Sequence, residues 1–323
     1  MPSIVLHVHR VGKGAALIFR SAGDTLEGMK KWFLGLFLLA ALGAAAQDMR
    51  VDYTEGLVEL ASGGSWKELA PGDRLPANAR IRLAKEAFVE LVQGSTRIAV
   101  SQPGVYLAAD LVAASKKVAS WQLGKVVSAK VKGTVAGGAR GEGTAAMGTR
   151  GGQAGASATV EWVEASGSEE ALSEGRSLLE AGRLDEALTV LQDALKEAYP
   201  GEEGVFFYYI ASAYSGQQRT SLALRTLELA RLEPREPMYP DLVLLKGQLL
   251  LESLAFADAL ALFESQLALN PDGGFAQALL ILSSYSYQGL GRSQGAREAL
   301  QKAVNLDSSS ELGREAARLL TQL

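Results

Sequence analysis

The sequence predicts a multidomain chain: a small all-β module of sandwich or barrel type, followed by an all-α solenoid of helical repeats. Two observations carry this expectation. Between residues 56 and 107, six short runs alternate apolar and polar residues and are separated by turn residues, the pattern of half-buried strands. From residue 168 the chain repeats itself, with alanines at 187, 223, 259 and 296, and a period in this range marks stacked helix pairs. A third observation, an apolar segment near the N-terminus, predicts export.

Composition narrows the function. The 323 residues are 48% hydrophobic and 21% charged, which is globular, and the net charge of -4 argues against phosphate-backbone binding. No cysteine is present, so disulfides, thiolate metal sites, cysteine nucleophiles and acylated lipoprotein anchors are excluded. The two histidines, His7 and His9, both precede the expected signal segment. A mature chain lacking that segment has neither the commonest general base nor the commonest transition-metal ligand. The reading is therefore a non-enzyme without cofactor or metal.

From Met29 the chain runs MKKWFLGLFLLAALGAAAQ. Lys30 and Lys31 supply the positive region, residues 32–42 the apolar core, and Ala44-Ala45-Ala46 the small-residue cleavage site of a signal peptide over 29–46. The apolar stretch is short for a membrane span, which needs about 20 residues. The mature protein is expected to start at Gln47 and to be periplasmic. The alternative is an uncleaved segment that anchors the chain in the inner membrane, the only case in which a membrane is a partner. Residues 1–28 read as an untranslated or disordered extension, with Met29 as the true start.

The β module is expected over 47–165. Its runs are Gly56-Leu57-Val58-Glu59-Leu60, Trp66-Lys67-Glu68-Leu69, Arg80-Ile81-Arg82-Leu83, Phe88-Val89-Glu90-Leu91-Val92, Arg97-Ile98-Ala99-Val100 and Val105-Tyr106-Leu107. Pro71-Gly72-Asp73 and Pro103-Gly104 punctuate them as turns. The order GLVEL, SWKELAPGDRL, then ARIRLAKEAFVELVQGSTRIAVSQPGVYL resembles the FecR domain. The resemblance implies a periplasmic β module and brings no catalytic residues. That family's signal-relay role needs a cytoplasmic segment and a membrane span, which do not match here. Trp66 invites stacking on a sugar ring, although an aromatic on an alternating strand more often plugs the core.

Residues 123–131 and 159–163 read as two further strands. Between them, residues 133–158 hold nine glycines, the composition of a flexible connector or a long hairpin excursion. Gly141-Glu142-Gly143-Thr144-Ala145-Ala146 matches the dinucleotide fingerprint only formally, because glycines at 148, 151 and 152 deny it the helix it requires.

Four helix pairs are expected over 168–310 and a capping helix over 311–323. Each register alanine follows, by twelve residues, a small residue: Gly175, Ala211, Gly247 or Ser284. Four residues beyond each alanine stands Leu191, Leu227, Phe263 or Leu300, and three further on Ala194, Ala230, Gln266 or Ala303. Antiparallel helices approach closely only where one side of the contact is nearly bare, so small and large residues should face each other. Tyr199-Pro200, Glu233-Pro234 and Asn270-Pro271 end the first three pairs. EAGRLDEALTVLQDAL and ESLAFADALALFESQLALNP resemble the tetratricopeptide repeat (TPR) family. Gln218 and Leu254 stand where that family prefers a small turn residue, so the second and third repeats are expected to pack less regularly.

The resemblance implies a concave groove lined by the first helix of each pair. Carried over by repeat, its candidates are Leu172 and Arg176, Tyr208 and Ser212, Leu244 and Gln248, and Ile281 and Tyr285. Arg176 suits a carboxylate, and the tyrosines offer contact area at low entropic cost. Phe206-Phe207-Tyr208-Tyr209 is continuous rather than periodic, so at least one ring is expected exposed or turned to the β module or a partner. The leading reading is a periplasmic scaffold whose groove recruits proteins or peptides of the cell envelope. The second is an envelope polysaccharide or peptidoglycan binder acting through the β module.

Overall fold

The computed structural model describes residues 48–121, 123 and 167–323. The expected signal segment, residues 1–28, the glycine-rich stretch 133–158, the strand expected over 159–163 and all of 123–131 except Leu123 lie outside these.

Among the described residues, eight strands form two four-stranded antiparallel sheets. One runs β4 (Arg74–Leu75), β1 (Met49–Glu55), β6 (Phe88–Gln93), β7 (Thr96–Val100); the other runs β3 (Ser65–Glu68), β2 (Val58–Ser62), β5 (Arg80–Leu83), β8 (Gly104–Leu107). Inward residues of both sheets, among them Val51, Leu91 and Ile98 from the first and Val58, Ile81 and Leu83 from the second, share one apolar cluster. The six alternating runs lie on strands, and β1 and β4 are additional. A register shift between Val51 and Tyr53 interrupts the alternation of β1, which hides it from a period-2 reading. β6 is buried on both faces, from Phe88 to Leu91. Its Val89 and Leu91 face the module's core, and Glu90, 4% exposed, points the other way.

A helix absent from the sequence reading follows directly: α1 (Ala108–Ser120), with Trp121 at its C-cap. Ala108 and Ala109 donate backbone hydrogen bonds to Ala79 and Ala77, which ties its first turn to the β module. The C-terminal region is a TPR-like helical repeat. Its pairs are α2 (Gly167–Glu180) with α3 (Leu184–Leu195), α4 (Glu203–Gly216) with α5 (Thr220–Leu229), α6 (Tyr239–Glu252) with α7 (Phe256–Leu269), and α8 (Gly273–Gly289) with α9 (Ser293–Leu306). The last described helix is α10 (Glu311–Leu320), capped by Ser310, whose hydroxyl oxygen accepts from the Gly313 N–H at 2.8 Å.

Close approach within the pairs has the expected cause. A Cβ on Gly175 would fall 2.5 Å from Leu191 Cδ2, and one on Gly247 would fall 2.5 Å from Phe263 Cζ. Both large side chains are fully buried. The turns inside the pairs are equivalent. Gly182, Gln218, Leu254 and Gly291 all adopt the left-handed conformation, with φ of 73°, 60°, 59° and 71°. The second and third repeats therefore keep the regular turn without the small residue that favours it.

The β module and the array are not separate bodies, because Gln47–Leu323 forms one compact unit. Its main apolar cluster runs from Met49 and Val51 through Leu111 and Val118 to Leu244, Ile281, Tyr285 and Leu319. Among the described residues, no helix is long and apolar enough to cross a membrane.

Candidate functional site: the inner face of the repeat array

The inner face is built by α2, α4, α6 and α8, and the structure divides it in two. At the third and fourth repeats it is covered by the chain's own α1. Leu244, Ile281 and Tyr285 are at most 1% exposed, in the same cluster as Leu111, Val118 and Leu123. Leu111, Ala114, Val118 and Trp121 recur at helical spacing, the first and third buried and the others packed against that cluster. The Trp121 indole stacks on Tyr285 with centroids 4.9 Å apart and planes 20° from parallel. The Tyr285 hydroxyl donates to the Trp121 carbonyl at 3.2 Å, and burial pushes its pKa up to about 12. Phe256 meets the other side of the indole at a tilt, 6.0 Å away.

Polar contacts fix the β module on the turns of the second and third repeats. Glu90 Oε1 accepts from the N–H and the hydroxyl of Ser221, at 2.8 and 2.7 Å. Ser101 pairs with Ser253 through backbone and hydroxyl, and Gln102 Nε2 donates to Asp258 at 2.6 Å. Arg225 donates to the Tyr53 hydroxyl at 2.9 Å.

Two clefts flank α1. One, of about 650 Å³, lies between Glu90 and Arg97, the α1 residues Ser115 and Val118, and Gln248 and Glu252 on α6. Gln248 Nε2 donates to Glu252 at 2.8 Å. Burial nevertheless holds the Glu252 carboxyl above its ordinary range, because desolvation outweighs that single donor. The other cleft, of about 500 Å³, lies between Trp121, Tyr285, Gln288 and the α10 residues Glu315 and Arg318.

At the first two repeats, none of the described β-module residues appears in the clusters that hold the inner-face candidates. Arg176 is exposed, with its guanidinium 5.9 Å from the centre of the Tyr209 ring. Tyr209 meets Tyr208 edge-on at 5.2 Å, and the Ser212 hydroxyl donates to the Tyr208 carbonyl at 2.9 Å. Burial raises the pKa of Tyr208, and the Asp241 charge pushes the same way. Leu172 is half-buried. The structure thus brings Leu172, Arg176, Tyr208 and Ser212 together with Tyr209, which the repeat register passes over. It places Leu244, Ile281 and Tyr285 beneath α1, and Gln248 at the edge of a cleft.

None of the four rings of the aromatic run is exposed. Phe206 and Tyr209 belong with the cluster of the first pair, Phe207 and Tyr208 with that of the next. An inner helix sandwiched between two pairs buries opposite faces at once, so a continuous apolar run suits it. Trp66 is half-buried, and the Arg82 guanidinium lies 4.5 Å from its ring centre, held there by Glu59 at 2.8 Å. One face of the ring is therefore already covered.

No family model matches the chain, and no curated protein matches it. Solved structures do. MamA from Desulfovibrio magneticus is 21% identical, with 49% of this chain and 93% of that one covered at a TM-score of 0.38. A thermophilic TPR protein from Thermus thermophilus is 22% identical, with 48% of this chain and 81% of that one covered, also at 0.38. Likeness at this level carries no argument for function.

Proposed function

We propose that this protein is a non-enzymatic, exported scaffold that recruits proteins or peptides of the cell envelope through the inner face of its first two repeats. The observation that carries this reading is the Arg176–Tyr209–Tyr208 patch. An exposed guanidinium beside partly buried tyrosines has the make-up of an interaction hot spot. The patch suits a partner segment bearing a carboxylate, which Arg176 would pair in bidentate fashion. Export and a periplasmic location rest on the sequence of residues 29–46, and the FecR-like order of strands agrees with them. In this reading the β module is a brace, because Glu90, Ser101 and Gln102 hydrogen-bond to the array.

The test is affinity capture from envelope extract with the 47–323 protein, run beside Arg176→Glu and, as a control on the last helix, Arg314→Glu. A protein retained by the wild type and the control, and lost with Arg176→Glu, supports the reading. Equal capture by all three refutes the assignment of the face. Sequencing of the mature N-terminus tests cleavage of the signal segment: a start at Gln47 is expected, and a start at residue 1 or 29 contradicts it in favour of the uncleaved anchor.

A further inference from the structure

The third and fourth repeats carry an inference beyond that reading, one that stands or falls separately from the Arg176 face. We propose that the end of α1 is a built-in ligand. The inner face of α6 and α8 recognises a short amphipathic helix that ends in a tryptophan, and a partner helix of that pattern takes the place of residues 115–121.

Four observations support this. First, the two halves of α1 are held differently. Its first turn is hydrogen-bonded to the β module, whereas its end is held by Val118 and the following Leu123 in the apolar cluster, by Trp121 on Tyr285 and by the hydrogen bond to the Trp121 carbonyl. Second, the end is held along a narrow stripe: Lys116, Lys117, Ala119 and Ser120 are exposed, and clefts of about 650 and 500 Å³ open on its two sides. Third, alanines at 108, 109, 113, 114 and 119 give α1 little apolar area to bury. Fourth, the recognition element is specific, since a stacked indole–phenol pair adds to burial alone. A helix laid in a groove by residues at i, i+3, i+7 and i+10 is a recurring mode of peptide recognition. Here Leu111, Ala114, Val118 and Trp121 occupy those places.

Tethering gives α1 an effective concentration on the order of millimolar, so the intact chain should resist a free competitor. The probe is a fluorescein-labelled peptide of residues 111–123, LVAASKKVASWQL, read by fluorescence anisotropy with the 47–323 protein. The wild type is expected to bind it at least tenfold more weakly than a Val118→Ser/Trp121→Ala variant. Adding Tyr285→Ala to that variant is expected to abolish binding. A folded double variant that fails to bind, or a wild type that binds equally well, overturns the proposal. Hydrogen exchange on the wild type decides the matter if the variants do not fold. Amides of 115–121 should exchange at least tenfold faster than those of 279–286, and equal protection of the two segments overturns it.

Discussion

Glu90 and Ser221 stand 131 residues apart, yet the carboxylate of one caps the helix that begins beside the other. The residue preceding α5, Arg219, makes no side-chain cap, so the first turn of α5 takes its acceptor from a strand of the β module. A negative charge at a helix N-terminus also suits the helix dipole. One buried side chain thus serves two modules.

Removing that acceptor should be costly. Glu90→Ala leaves the Ser221 N–H and hydroxyl without their partner in a buried site, and should destabilise by about 2–3 kcal/mol. Glu90→Gln keeps an acceptor oxygen and should cost about 1 kcal/mol. Glu59→Ala, which breaks a partly exposed ion pair with Arg82 and frees that guanidinium from Trp66, should cost about 1 kcal/mol or less. Urea unfolding of the three variants checks the order, and an equal effect of Glu59→Ala and Glu90→Ala would contradict the cap.

Gly247→Ala should destabilise despite the better helix propensity of alanine. The added methyl meets the fully buried Phe263 ring, and overpacking costs about 1–3 kcal/mol against a propensity gain of about 1. Phe263→Leu, the residue type at Leu191, Leu227 and Leu300, should make room. The double variant is expected to be more stable than Gly247→Ala alone. Strict additivity in thermal melts would show that the two side chains do not share the space.

Gln218→Gly should stabilise. Gln218 is exposed and left-handed at φ 60°, a conformation that costs a residue with a Cβ about 1–2 kcal/mol and glycine nothing. After the extra chain entropy of glycine, a gain of about 0.5–1 kcal/mol is expected. Leu254→Gly relieves the same backbone at φ 59° but removes a side chain only 8% exposed, and should destabilise. Chemical denaturation distinguishes the two signs.

The repeat register was legible because its determinants are local. Gly175 and Gly247 sit opposite Leu191 and Phe263 at a fixed offset, and that offset is visible in the chain. The inner-face candidates came from the same register, and of them Tyr208 and Ser212 are joined by a hydrogen bond while Arg176 lies by Tyr209. What covers Leu244, Ile281 and Tyr285 was not legible. α1 is alanine-rich, follows a strand without a capping side chain, and shows only a thin apolar stripe. Its mate lies far along the chain, and no local pattern encodes that pairing. Glu90 was hidden for a related reason: a glutamate in an alternating run reads as the solvent face until another element is laid over it.

Glu252 should make stability fall as pH rises. Burial raises its pKa in the fold, so the folded state favours the protonated form. The stabilising contribution is fully present below the ordinary glutamate range, near pH 4.3, and is lost as pH rises through the raised value. Glu252→Gln should therefore be more stable than the wild type at neutral pH, with the difference shrinking toward about pH 4. Urea midpoints across that range check it, and a difference that stays constant with pH would contradict the assignment.

The stacking of Trp121 on Tyr285 also has a consequence in time. A chain emerging from its N-terminus can pair strands β1 to β8 as soon as residue 107 is free. The end of α1, however, waits for a tyrosine 164 positions later. At synthesis rates of about 5–20 residues per second, that wait is on the order of ten seconds or more. During it, Val118 and the indole stand bare, the kind of surface that invites holding factors or aggregation. A nonsense codon after Trp121 and before α8 therefore yields something other than a shorter scaffold. It yields a folded β module with a sticky, unanswered edge, and the cell is expected to degrade that fragment rather than use it.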